Sequence, residues 1–214
     1  MLRPAPPRPP RETTYDGLLF AATVTLGSFL VFQVQPLIGR YILPWFGSSP
    51  GVWTTCMLFF QALLLAGYAY AHALSARLTP RAQTLLHVAL LIAAALTLPI
   101  TPSAELKPTD ASDPTARIML LLLLSVGAPY LLLASGAPLI QRWYARARPS
   151  ASPYRLYSLS NVGSLLALLS YPLVFERLWT LETQTRTWSW TFVAYALLCT
   201  ACALRARRRD DAEP

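Results

Sequence analysis

Side-chain amides and hydroxyls that interrupt long apolar stretches are the residues of this sequence best suited to contact a ligand. A carboxamide both donates and accepts hydrogen bonds. Between apolar helices it either joins two neighbours, which is the more common role, or lines a polar cavity. Both roles stay open here, because leaving such a group unpaired away from water costs free energy. The candidates are Gln33, Gln35, Gln61, Ser160, Asn161 and Ser164.

Two of these amides cannot share a site in a regular helix. Gln33 and Gln35 are two positions apart, which places them on different helix faces. They could face one cavity only if the helix unwound beside Pro36. The segment 158–170 combines Asn161 with several serines and Gly163, and small residues let helices approach closely. Close packing is therefore the first interpretation of that segment, and contact with a substrate is the second.

Ionisable groups suited to catalysis are few and lie at the edges of the apolar stretches. The ten Asp and Glu residues all fall outside those stretches, with Glu176 the nearest. His72 and His87 have no neighbouring carboxylates, which favours neither a proton relay nor a metal centre. Cys199 and Cys202 share one helix face and are interpreted as small apolar residues. We therefore predict no catalytic residue, no cofactor site and no metal site.

The elements that must position these residues are membrane-spanning helices. Hydrophobic residues make up 54% of the 214 residues and charged ones 13%, about half the share usual in soluble domains. Uninterrupted apolar runs of about 20 residues match the thickness of a bilayer core. Six tryptophans near the span ends are typical of an interfacial belt. The predicted all-α bundle has spans at Leu18–Val34, Val52–Leu74, Ala82–Ile100, Ile118–Ile140, Leu156–Phe175 and Trp188–Leu204.

The distribution of basic residues predicts the orientation of this bundle. With the amino terminus in the cytoplasm, 13 of the 18 Lys and Arg residues fall on the cytoplasmic side. The organisation is then a Pro-rich cytoplasmic tail (1–16), a transmembrane domain (17–204) and a charged cytoplasmic tail (205–214). The net charge of +8 follows from this asymmetry, so it suggests contact with the lipid bilayer and not with nucleic acid.

A short motif occurs twice, once in each half of the chain. Residues 36–41 read PLIGRY and residues 138–143 read PLIQRW. Each follows a long apolar run, so helix breaks are predicted at Pro36 and Pro138. Three spans per copy would place the copies in opposite orientations, the 3+3 inverted repeat found within each half of a major-facilitator fold. The sequence therefore predicts two related three-helix units.

Arg40 is the basic residue that runs against the charge asymmetry. It lies between Pro36 and Pro44, on the side predicted to face outward. Either this segment forms a short helix in the interface with the arginine reaching toward water, or it folds back and binds an anion or anionic lipid. Arg40 is thus a candidate anion or lipid contact.

Two stretches carry a resemblance to a known family. FLVFQVQPLIGRYILPWFGSSPGVWTTCMLFFQALLLAGYAYAH (29–72) and SNVGSLLALLSYPLVFE (160–176) resemble the amino-terminal membrane portion of bacterial fused major-facilitator/spermidine-synthase-like proteins. The resemblance extends over about 17–204 and implies a location in the bacterial inner membrane. The family pattern favours Gly at Ser48 and Pro at Arg177, so the loops differ.

The synthase-like domain of that family is expected to be absent here, since the chain ends at Pro214 and contains no GxGxxG loop. The resemblance then implies a non-catalytic membrane domain that anchors or serves a separately encoded synthase-like protein. The alternative is a stand-alone small-molecule transporter that acts as a homodimer of half-units. Activity as an enzyme on its own is left open.

Overall fold

The computed structural model describes residues 11–108, 113–148 and 154–210, with the side chains of 11–14 and 208–210 left out. Within these ranges the chain is all-helical, and no strand occurs. A single 3-10 turn, Ala104–Leu106, lies in the longest connection. The six main helices of the described ranges are α1 Arg11–Phe46, α2 Pro50–Arg77, α3 Pro80–Ala95, α4 Thr115–Ala147, α5 Tyr154–Leu178 and α6 Leu181–Asp210.

Five of these helices, all except α3, are long and apolar enough to cross a membrane within the described residues. The chain is therefore a multi-pass membrane protein built as a helical bundle. The third span was expected at Ala82–Ile100, but α3 has 16 residues and ends at Ala95. Pro99 disfavours a helical conformation at the residue before it, which is one physical reason for the early end.

The helix breaks expected at Pro36 and Pro138 do not occur. Pro36 and Pro44 lie inside α1, and Pro138 lies inside α4. Each proline removes one backbone hydrogen bond, but packed membrane helices tolerate this because neighbouring groups compensate. The segment 36–44 is consequently the end of α1 and not a separate interfacial helix. The domain boundaries predicted at 16/17 and 204/205 fall within the helices α1 and α6. Residues 1–10 of the predicted Pro-rich tail lie outside the described ranges.

Local sequence explains the sharp connections between the first three helices. Gly47 follows α1 with a φ of 82°, a left-handed conformation that glycine adopts at little cost. Ser49 and Thr79 then accept hydrogen bonds from the amides of Val52 and Ala82, both at 3.4 Å. Each of these caps precedes a proline at the first helical position, where no amide hydrogen is needed.

Two helices contain a wider, π-helical turn. It covers Leu123–Gly127 in α4 and Tyr171–Phe175 in α5. The second contains Pro172, whose missing amide hydrogen weakens the regular helical ladder at that point. Such turns are frequent near functional sites.

The centre of the bundle is formed by α1, α4 and α6. Helix α5 packs on α1, α2 packs on α4, and α3 packs mainly on α6. Glycines permit the first two pairings: a Cβ on Gly163 of α5 would lie 2.5 Å from the Thr25 carbonyl oxygen. A Cβ on Gly67 of α2 would lie 2.7 Å from the Ala134 side chain of α4. Close packing against α1 is thus the structural role of Gly163, the glycine of the 158–170 segment.

Two of the tryptophans assigned to the interfacial belt lie instead in the core. Trp143 and Trp188 are almost fully buried. Each indole finds a hydrogen-bond acceptor there, Gln83 Oε1 at 3.4 Å and the Leu30 carbonyl oxygen at 3.2 Å respectively. An indole is mostly apolar with one donor, so it can be buried wherever that donor is satisfied.

Candidate functional site

A polar cavity with a volume of about 450 Å³ lies between α1, α2, α4 and α5. We call it the serine cavity after Ser28, Ser160 and Ser164. None of its lining residues is charged. Its polar lining residues are Ser28, Tyr68, Gln141, Tyr157, Ser160, Asn161 and Ser164.

A hydroxyl pair connects the two sides of this cavity. The Ser28 and Ser160 hydroxyl oxygens are 2.6 Å apart, so one donates to the other across the α1–α5 contact. Ser164 donates to the Ser160 carbonyl oxygen at 3.0 Å. The close approach at Gly163, one position before Ser164, brings α5 near enough to α1 for these contacts. The wall therefore combines fixed hydroxyls with the exposed amide of Asn161.

The site residues predicted from the sequence lie in several different environments. Ser160, Asn161 and Ser164 line the serine cavity together with Pro138. Gln35 donates to the Tyr130 hydroxyl of α4 at 3.2 Å and to the Val31 carbonyl at 3.4 Å, so it joins two helices. Gln61 is exposed on the outer surface of α2 and does not line the serine cavity.

Gln33 lies on a different side of α1 from Gln35, as the helix geometry requires. It is 7% exposed and lines a smaller cavity of about 190 Å³ between α1, α5 and α6. We call this the aromatic cavity, because five of its ten lining residues are Phe29, Tyr171, Phe175, Trp179 and Trp188. Gln61 is absent from its lining as well.

Arg40 is engaged by an acidic partner at the end of α5. Its Nε lies 3.8 Å from Glu176 Oε1, and Nη1 lies 3.5 Å from the Glu176 carbonyl oxygen. About a third of the Arg40 side chain is exposed. A protein carboxylate therefore lies beside the partly exposed arginine, and the assignment of Arg40 as an anion or anionic-lipid contact stays a prediction.

The opposite end of the bundle carries a second ion pair. Asp16 near the start of α1 pairs with Arg205 near the end of α6, and the Asp16 side chain is 10% exposed. At this same end, Gln83 Oε1 of α3 accepts from Arg146 Nη2 of α4 at 3.1 Å. Sequence reasoning missed these contacts, because each joins residues far apart in the chain.

The sequence suggests a solvated or hydrogen-bonded residue near a span end for His87, and the structure shows it fully buried and hydrogen-bonded. Its Nδ1 lies 3.1 Å from the Tyr70 hydroxyl, and its Nε2 lies 3.6 Å from Cys199 Sγ. The packing of α3 on α6 encloses the ring between these partners. No group of three His, Cys, Asp or Glu residues placed to hold a metal ion occurs in the part of the chain that the structure describes.

Helical spacing offered a signal for one lining residue that the sequence reading missed. Tyr157 precedes Asn161 by four positions and Ser164 by seven, which is one helix face. Ser28, Tyr68 and Gln141 come from three other helices, and only the packing brings them to the same cavity.

Comparisons with protein-family models, with curated proteins and with solved structures find no match for this chain.

Proposed function

We propose that this chain is a bacterial inner-membrane protein that binds an uncharged polar solute in the serine cavity and serves a separately encoded synthase-like protein. The observation that carries the proposal is the cavity itself. It lies between membrane-spanning helices of both halves of the chain, and its hydroxyl and amide groups are interspersed with apolar side chains. Polar groups in such a position satisfy their hydrogen bonds with each other, with water or with a solute.

The serine cavity has no charged lining residue and a smaller share of aromatic ones than the aromatic cavity, which supports a neutral solute. Burying a cation or anion without a compensating partner is far more costly than burying a hydrogen-bonded neutral group. Ser28, Ser160 and Asn161 offer donors and acceptors of neutral type. A neutral polar molecule therefore fits the serine cavity better than a polyamine.

The proposed orientation places the arginine-rich end of the bundle in the cytoplasm. That end contains the Asp16–Arg205 pair, and both Arg146 and Arg148 belong to it. The opposite end contains the Arg40–Glu176 pair and the start of α6. A bias of arginine toward one end is the pattern that orients membrane proteins, and it supports an orientation with both termini in the cytoplasm.

An inverted repeat of α1–α3 and α4–α6 is part of the proposal, as in half of a major-facilitator fold. A two-fold operation that exchanges α1 with α4 and α2 with α5 turns the α1–α5 contact into the α4–α2 contact. Both contacts are close, and each depends on a glycine of the second helix in its unit, Gly163 or Gly67. This reciprocal pairing supports the repeat beyond the echo of PLIGRY in PLIQRW.

Solute binding is tested on the purified protein in nanodiscs, by thermal unfolding with a panel of neutral polyols, amides and sugars beside putrescine and spermidine. A ligand that binds only the folded protein raises the melting temperature, and the rise grows with the logarithm of its concentration once that exceeds the dissociation constant. We expect a neutral compound to do so, and we expect Asn161→Leu and Ser160→Val to remove the effect. Gln61→Leu is the matched control, since Gln61 is exposed outside the cavity. A response to polyamines alone, or one that survives both cavity variants, contradicts the assignment.

The partner is tested separately by purification of the tagged protein from native membranes after mild cross-linking. Recovery of an aminopropyltransferase-like protein is the expected result. A homodimer of half-units with solute flux in proteoliposomes, and with no such partner, would favour the stand-alone transporter instead. The exposed apolar residues of α5, such as Leu165 and Leu169, leave room for either a second copy or lipid beside the serine cavity.

A further inference from the structure

The aromatic cavity between α1, α5 and α6 has a different chemistry from the serine cavity. Its volume is about 190 Å³, enough for a compact organic molecule. Half of its lining residues are aromatic, and the remainder include two amides, Gln33 and Gln184. None of the lining residues carries a charge.

Gln184 presents an unused acceptor in this wall. Its side chain is 4% exposed, and Nε2 donates to the carbonyl oxygens of Phe175 at 3.0 Å and Trp179 at 2.9 Å. Both partners are acceptors, so the nitrogen of the amide must face them and the oxygen must face away. That oxygen, Oε1, is buried and has no hydrogen-bond partner. A buried carbonyl without a donor is costly, which points to a donor that the site receives from a ligand.

Two further polar groups adjoin the same space. Gln33 is 7% exposed, and its side-chain amide forms no hydrogen bond with the described residues. The Tyr171 hydroxyl is buried without a hydrogen bond of good geometry, although the Arg40 guanidinium lies close enough to act on it electrostatically. The charge of Arg40 is balanced by Glu176, whose Oε1 lies 3.8 Å from Nε, so the ion pair beside Tyr171 carries no net charge.

We propose that the aromatic cavity binds a small organic ammonium ion that also carries a hydroxyl or N–H donor. The cation lies among the aromatic rings, whose electron-rich faces attract positive charge. The donor is accepted by Gln184 Oε1, and Glu176 offsets the repulsion from Arg40. The ligand is either a free amino alcohol or the headgroup of an amino-alcohol lipid, since both present the same chemistry.

Radiolabelled choline is the probe, because it combines a quaternary ammonium with one hydroxyl donor. Binding is measured by equilibrium dialysis on the full chain in nanodiscs of phosphatidylglycerol, which has no amine. We expect saturable binding that tetramethylammonium reduces and that 3,3-dimethylbutan-1-ol, the neutral isostere of choline, does not. Equal competition by the neutral isostere, or no saturable binding, overturns the proposal.

The composition of the nanodisc distinguishes the two sources of the ligand. Loss of choline binding when phosphatidylethanolamine is added supports the headgroup as the occupant, because the lipid then fills the cavity. Binding that persists in such discs supports a free solute.

Variants test the aromatic contact and the hydrogen-bond acceptor separately. Trp179→Leu removes an aromatic ring and Gln184→Met removes the acceptor, and we expect each to weaken choline binding about tenfold or more. Glu176→Gln leaves the charge of Arg40 unbalanced and should weaken choline binding severalfold.

Trp190→Leu is the matched control, since Trp190 is an exposed residue of α6 outside this cavity. Trp179 is only partly buried, so its variant remains informative if the Gln184 variant fails to fold. Unchanged affinity in folded Trp179→Leu contradicts the site.

Discussion

The two copies of the Pro-Leu-Ile-x-Arg-aromatic motif bury the same apolar residues, but their arginines and aromatic residues make different contacts. In both copies the Leu-Ile pair is buried to within 1% of full burial, at Leu37 and Ile38 in α1 and at Leu139 and Ile140 in α4. Both prolines lie inside continuous helices. The apolar positions of the motif therefore perform the same packing role in each half of the chain.

The polar and aromatic positions diverge because their neighbours differ. Arg40 pairs with Glu176 at the end of α5, whereas Arg142 is exposed and forms no ion pair among the described residues. Tyr41 lies edge-on to Trp45 in its own helix and is partly exposed. Trp143, its counterpart, is buried against α3, where Gln83 accepts its N–H. A shared motif thus specifies helix register, and the neighbouring helix decides what each polar side chain does.

The largest difference between the two copies is expected at the aromatic position. Trp143→Ala should lower the free energy of unfolding by about 3 kcal/mol, because it empties a filled core site and leaves Gln83 without one of its donors. Tyr41→Ala should cost well under about 1 kcal/mol, since that side chain is partly exposed. Equilibrium unfolding in mixed micelles by SDS titration measures both. Similar losses would show that the two positions are equivalent after all.

The apolar pair should instead behave alike in the two copies. Leu37→Ala and Leu139→Ala should each cost about 2 kcal/mol, at the lower end of the range for buried leucines, because lipid can also solvate the unfolded apolar chain. Leu165→Ala, at an exposed position of α5, is the control and should be nearly neutral. The same titration applies, and a large inequality between the first two variants would weaken the idea of related halves.

The glycines at the α1–α5 and α2–α4 contacts are expected to have the next largest effect on stability. Gly67→Ala and Gly163→Ala should each destabilise by about 1 to 2 kcal/mol, because a Cβ would clash with the facing helix and force it to shift. Gly51→Ala is the control, since a Cβ there meets its nearest atom at 3.9 Å. Thermal unfolding in detergent measures the order of the three variants. Stability gained in either pairing variant would contradict the close approach.

The smallest expected difference concerns the two arginines. Arg40→Leu should cost at most about 1 kcal/mol, and less at high salt, because the ion pair with Glu176 is partly exposed and screened. Arg142→Leu should leave stability unchanged. A double-mutant cycle of Arg40 with Glu176, at low and high ionic strength, isolates the interaction. A coupling free energy that does not depend on salt would indicate a deeply buried pair instead of a partly exposed one.

The sequence predicted the positions of the long helices, but it predicted the surroundings of only some of the candidate residues. Long apolar runs indicated the five long helices, and the spacing of Gln33 and Gln35 indicated that they face different neighbours. Periodicity carries no information on which helices meet, so the role of Gln61 as an exposed residue and of Gln35 as a link to Tyr130 was not predictable. The breaks expected at Pro36 and Pro138 did not occur, because proline lowers helix stability locally while packing acts on the whole helix.

The sequence by itself determined the class of this protein, because apolar length and the scarcity of charge leave a membrane-spanning helical bundle as the stable solution. Only the tertiary structure decided which polar groups meet. Ser28 and Ser160, Arg40 and Glu176, and Asp16 and Arg205 are each more than 130 positions apart in the chain. Their contacts depend on the packing of α5 and α6 on α1. Hydrogen bonds and ion pairs act over a few ångströms, so they follow from the arrangement of the helices and not from local sequence.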